Sequence, residues 1–90
     1  PCIMSFLFQV RNVPASLYKA LGGFATNGIN MIKLESYIDS AFNQAQFYAE
    51  IMGHPTEQGV IHAFEELDFF SHDVERLGVY PANPFRFRNT

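Results

Sequence analysis

Few side chains in this chain have the types and spacing that chemistry needs. The strongest group is Glu35-Ser36-Tyr37, at the far end of an apolar stretch that opens at Gly28-Ile29-Asn30-Met31. A second polar segment, Asn12-Val13-Pro14-Ala15-Ser16-Leu17-Tyr18, leads into a helix-like pattern. The first free N–H groups of a helix form an anion site suited to a carboxylate. An ordinary strand-to-helix loop explains the same residues, and an exposed strand end explains Glu35-Ser36. Pattern alone leaves both readings open.

Other chemistries have less support. His54, His62 and His72 are spaced too widely for a helical i, i+4 metal pair, and the single cysteine, Cys2, has no partner for a disulfide or a metal site. No metal or cofactor is therefore expected. No glycine-rich phosphate loop links a strand to a helix. Glu65-Glu66 reads as a solvated helix face. Ser16 and Ser36 have no base beside them in sequence, so catalysis is not expected of this chain.

These residues need elements to position them. Residues 3–10 alternate in part, with Phe6, Phe8 and Val10 on one face of a first strand. Pro14 suits a first helical position, and Leu17, Ala20, Leu21 and Phe24 form an apolar stripe. Gly22-Gly23 costs about 1 kcal/mol per glycine relative to alanine, which points to close packing there. Gly28 suits a left-handed helix cap. Residues 30–38 read as a second strand, with Ile32 and Leu34 toward the core and Lys33, Glu35 and Tyr37 away. A polar connection over 39–43 suits a hairpin. Residues 44–52 return with Phe47, Ala49 and Ile51 inward. A second helix runs from about Thr56 to Phe69 on Val60, Ala63, Phe64 and Leu67. A last strand, 73–80, turns Leu77 and Val79 inward. The order predicts an α+β, ferredoxin-like βαββαβ fold: a four-stranded antiparallel sheet with both helices on one face.

The size and charge narrow the rest. Ninety residues bury about 60–65% of the unfolded surface, so a subunit interface is an economical addition. Ten Phe and four Tyr exceed what one small core readily holds. A net charge of −3 and a pI near 5.4 lack the basic footprint of nucleic-acid binding. RNA binding on the open sheet face, with Phe8 and Tyr48 as platforms, is therefore the weaker use of this topology. No apolar run is long enough to span a membrane and no signal peptide is visible, so a cytoplasmic location is the default. The start at Pro1 suggests a piece of a longer protein.

Residues 11–37, together with Gln46 to His54 and Leu77 to Ala82, resemble the ACT regulatory domain of prephenate dehydratases. Gly-Ile-Asn, Leu-Glu-Ser, Gly-His and Leu-Gly-x-Tyr-Pro occur in that family's order and spacing. The resemblance implies an ACT domain over residues 1–82 and a tail over 83–90, cut from a chain whose dehydratase catalytic domain is missing. It implies binding of L-phenylalanine as a feedback effector, and homodimers or larger assemblies formed by side-by-side sheets. It places the ligand at the seam, against Ala15, Ser16, Leu17, Tyr18, Ile29, Asn30, Met31, Glu35 and Ser36. Helix-start amides would hold the carboxylate, Asn30 of the partner copy the ammonium, and Leu17, Ile29 and Met31 the ring. The family's Gly-Ala-Leu-Val and Glu-Ser-Arg-Pro segments are changed here: Ala15 replaces a glycine and Tyr37-Ile38 replaces Arg-Pro. A dimerisation module that does not sense amino acids is the alternative.

Overall fold

The computed structural model describes residues 2–11, 14–39 and 44–81. Residues 40–43 of the predicted hairpin connection, the tail over 83–90, and Asn12 and Val13 lie outside them, while Asp39 belongs to the strand before the connection. The elements run β1 (Cys2–Arg11), α1 (Pro14–Thr26), β2 (Met31–Asp39), β3 (Gln44–Met52), α2 (Gln58–Phe70) and β4 (His72–Pro81). The four strands form one antiparallel sheet in the order β2-β3-β1-β4. This is the ferredoxin-like βαββαβ fold of ACT domains.

One face of the sheet carries the core. Phe6, Phe8 and Val10 from β1 and Phe47, Ala49 and Ile51 from β3 are buried beneath Ala20 and Phe24 of α1 and Val60, Ala63, Phe64 and Leu67 of α2. Phe6 is its hub, with ring centroids 5.5 Å from Phe24 and 4.8 Å from Phe64. Offset and edge-on rings of this kind add to their area burial. The helices approach closely at Gly23, where a Cβ would lie 3.2 Å from the Ala63 backbone. Gly22 faces open space, so only one of the two glycines has a packing reason.

Helix α1 ends as its sequence predicts. Gly28 has φ +68°, Ile29 N–H donates to Phe24 C=O at 2.8 Å and Gly28 N–H to Ala25 C=O at 3.1 Å. This is the Schellman arrangement, in which a left-handed residue lets two carbonyls find donors. It turns the chain so that Asn30 C=O accepts from Met52 N–H at 2.9 Å, which starts β2 alongside β3.

Two strand assignments need correction. Leu34 is 42% exposed, and Leu77 and Val79 are 47% and 44% exposed, so none lies in the core. The reason is strand order: β2 and β4 are the sheet edges, and the helices cover mainly the central pair. Strand β2 also has a bulge. Met31 lies opposite Ile51 but Lys33 opposite Glu50, so Ile32 is one extra residue.

Candidate functional site

The predicted site residues divide between the two ends of the sheet. Ala15, Ser16, Leu17 and Tyr18 form the first turns of α1, which follows the C-terminal end of β1. Ile29, Asn30 and Met31 follow the other end of the same helix. Its 13 residues span about 20 Å at 1.5 Å per residue, so within one chain the two groups do not meet. Both flank β2, whose outer edge has no strand beside it among the described residues.

At the first end, Leu17 packs against the core while Tyr18 is 82% exposed. No acidic side chain stands in the first turn of α1, so nothing there opposes an anion at the free amides. Glu35 and Ser36 lie at the middle of β2 and point to opposite faces. Ser36 is opposite the buried Phe47, and so faces the helices. Glu35 is opposite Tyr48 on the open face. Its two carboxylate oxygens are engaged: Lys33 Nζ lies 3.2 Å from Oε1, and Tyr37 O–H donates to Oε2 at 2.9 Å. These hydrogen bonds, Tyr37 first, hold the Glu35 carboxyl below its usual range and push the Tyr37 phenol up. Tyr37 therefore does not supply the cation of the family's arginine; it orients the preceding carboxylate.

At the second end, Ile29 and Met31 pack against the core edge. Asn30 is exposed, and its amide nitrogen donates to Met52 Sδ at 3.6 Å. That leaves the carboxamide oxygen as the acceptor end of the side chain.

The open sheet face holds a feature that local sequence did not show. Glu50 reads as outward by alternation, yet it is 4% exposed. The phenols of Tyr48 and Tyr80 donate to its Oε2 at 2.5 Å and 3.3 Å. The bond to Glu50, and then burial, push Tyr48 up to about 12. Tyr80 comes from a different strand, so its cover was invisible to strand alternation. Phe8, a predicted platform for stacked bases, is fully buried on the helix side. A groove of about 160 Å³ between α2 and β4 is lined by Met4, Val60, Ile61, Phe64 and Arg76, and holds none of the predicted site residues. Among the described residues there is no His, Cys, Asp and Glu cluster able to hold a metal. No described helix is long and apolar enough to cross a membrane.

No family model matches the chain. It is 52% identical over 83 residues to a bifunctional N-acyl-homoserine lactone acylase/prephenate dehydratase from Komagataeibacter europaeus, a match covering 91% of this chain and 30% of that protein. Its fold matches a solved structure described as GqqA, a novel type of quorum quenching acylases, with TM-score 0.87 and 50% identity over 94% of this chain and 31% of that one. It also matches a prephenate dehydratase from Arthrobacter aurescens solved in complex with L-Phe, with TM-score 0.79 and 24% identity over 90% of this chain and 26% of that one. Together with the sheet order and the helix layer, these matches identify an ACT-type regulatory domain. The chain belongs with the prephenate dehydratases, as a segment of that kind of protein. It spans less than a third of the length of these relatives.

Proposed function

We propose that the chain senses L-phenylalanine at a seam between two copies and regulates a dehydratase domain in a longer, cytoplasmic protein. The ACT domain would span residues 1–82, with 83–90 as its tail. The observation that carries this reading is the position of the two site halves, at opposite ends of one uncovered edge strand. An antiparallel pairing of β2 with β2 of a second copy brings Ile29, Asn30 and Met31 of one chain to Ala15, Ser16, Leu17 and Tyr18 of the other. Two-fold symmetry makes two equivalent sites.

Each group then has a task. Amides at the start of α1 hold the ligand carboxylate. The Asn30 carboxamide oxygen of the partner copy accepts from the ammonium. Leu17, Ile29 and Met31 wall the ring, and Ser36 closes the site from the strand. Burying a phenyl ring contributes about 2–3 kcal/mol. Micromolar affinity needs about 8 kcal/mol, so the polar anchors must supply much of the remainder. A ligand bound across a seam also stabilises the paired state by mass action. Signalling to the catalytic domain is then an allosteric coupling between separate sites.

L-phenylalanine at millimolar concentration is expected to raise the melting temperature by several degrees, as about 100 Kd of ligand adds about 2.7 kcal/mol. Asn30→Ala is expected to abolish the rise while leaving the unliganded melting temperature close to wild type. A folded, dimeric wild type that shows no shift and no calorimetric heat with L-phenylalanine defeats the proposal.

A further inference from the structure

We infer that two copies join along β2 in a register centred on Leu34, and that Lys33 and Glu35 set that register by exchanging charges across the seam. The inference rests on the two-copy reading above and gives it a specific geometry. In a continuous sheet with all helices on one side, helix-face residues must oppose helix-face residues. The two-fold axis then falls on a residue, and few choices exist. Centring on Lys33 opposes two ammonium groups, and centring on Glu35 opposes two carboxylates. Like charges directly opposite on a sheet are destabilising. Centring on Ser36 also sets Lys33 against an acidic residue, Asp39, but it carries Met31 past the end of the partner's strand, so the site is not assembled.

Centring on Leu34 satisfies three observations together. Leu34, 42% exposed on the helix side, meets its own copy and loses that exposure. Lys33 and Glu35 lie on the open face, 3.2 Å apart within one chain; each then opposes its complement in the other chain. The result is a cluster of four alternating charges. The bulge at Ile32 brings Met31 level with Ile51, two β3 positions beyond Leu34, whose partner is Ala49. Met31 therefore arrives opposite Ser36 of the second copy, which lies two positions beyond Leu34 on the other side. The same register that pairs the charges also assembles the site.

Glu35 accordingly acts as a seam residue rather than a ligand contact. Tyr37 and Lys33 hold its two oxygens in place on the face away from the helix start.

Charge reversal tests this in the 90-residue chain. Lys33→Glu and Glu35→Lys, both at exposed positions, are each expected to dimerise at least about tenfold more weakly than wild type, since each homodimer carries two like-charge oppositions. A one-to-one mixture is expected to form the mixed dimer to within about threefold of wild-type affinity. Within each variant chain positions 33 and 35 still repel, so recovery can arise only across the seam. Native mass spectrometry and sedimentation read both quantities. A mixture no tighter than the separate variants, with wild type dimeric, overturns the register alone. A wild type that stays monomeric with millimolar L-phenylalanine overturns the two-copy reading, and the register with it. Leu34→Cys in a Cys2→Ser background gives an independent measurement. Directly opposed strand residues have Cα atoms about 4.5–5.5 Å apart, within disulfide range, so oxidation is expected to give a covalent dimer. Ser36→Cys is expected to give none, and the reverse result overturns the register.

Discussion

The two edges of the sheet expose similar side chains and differ in regularity. Leu34 on β2 and Val79 on β4 are 42% and 44% exposed, both on the helix side. Strand β4 breaks register with β1 twice, between Ser5 and Phe6 and between Leu7 and Gln9. Near its start Asp73 takes a left-handed φ of 50°. Bulges twist an edge and blunt its pairing with other chains. Strand β2 has its one irregularity at its beginning and then pairs with β3 without a break from Lys33 to Asp39. An exposed apolar residue is thus not enough to mark a joining edge; an unbroken run of backbone donors and acceptors beside it is also required.

The largest effect is expected where both edges share support. Strand β1 lies between β3 and β4, and Phe6 is its aromatic hub. Phe6→Ala is expected to cost about 3–5 kcal/mol in urea unfolding. A cost below about 1 kcal/mol would show that the edges do not depend on this core. The comparison itself is broken or upheld by Leu34→Lys and Val79→Lys. The first is expected to weaken dimerisation by about 100-fold, from lost apolar contact and two opposed ammonium groups. The second is expected to change it by less than about twofold. Equal effects would remove the distinction between the edges.

A smaller effect tests how β4 is fastened. Its Tyr80 reaches Glu50 on β3 across the open face, beside Tyr48, whose phenol is pushed up to about 12. A raised phenol pKa means that the stabilisation is present below pH 10 and lost as pH rises from 10 through 12. Absorbance titration at 295 nm is expected to show Tyr48 titrating well above the ordinary phenol range, and Glu50→Gln to return it toward 10. A wild type whose phenols all titrate near 10 would remove Glu50 as their anchor.

The order of elements and the buried positions of the two central strands were legible in the sequence. Phe6, Phe8 and Val10 and Phe47, Ala49 and Ile51 alternate cleanly because both strands have helices above and neighbours on each side. Leu34, Leu77 and Val79 were misread because alternation reports a face and not its cover. Which strands form the edges is a property of the whole sheet. The candidate site residues stood out through motif spacing, but their division between two ends did not. Alternation did turn Glu35 away from the core, and so Ser36 toward it. It did not show that Met31 shares the face of Leu34, which depends on the extra residue at Ile32, and Met-Ile-Lys-Leu contains no glycine or proline to announce it.

That extra residue has a consequence for chain length. Residues three apart on a regular strand point to opposite faces, yet Met31 and Leu34 share one. Deleting Ile32 would place Met31 two residues from Leu34, so an unbroken ladder would keep both on the helix side and Met31 opposite Ile51. Most surface loops absorb insertions and deletions at small cost. The bulge gives this edge strand the same tolerance: related chains of this kind should differ by one residue here without turning the site residues to the other face.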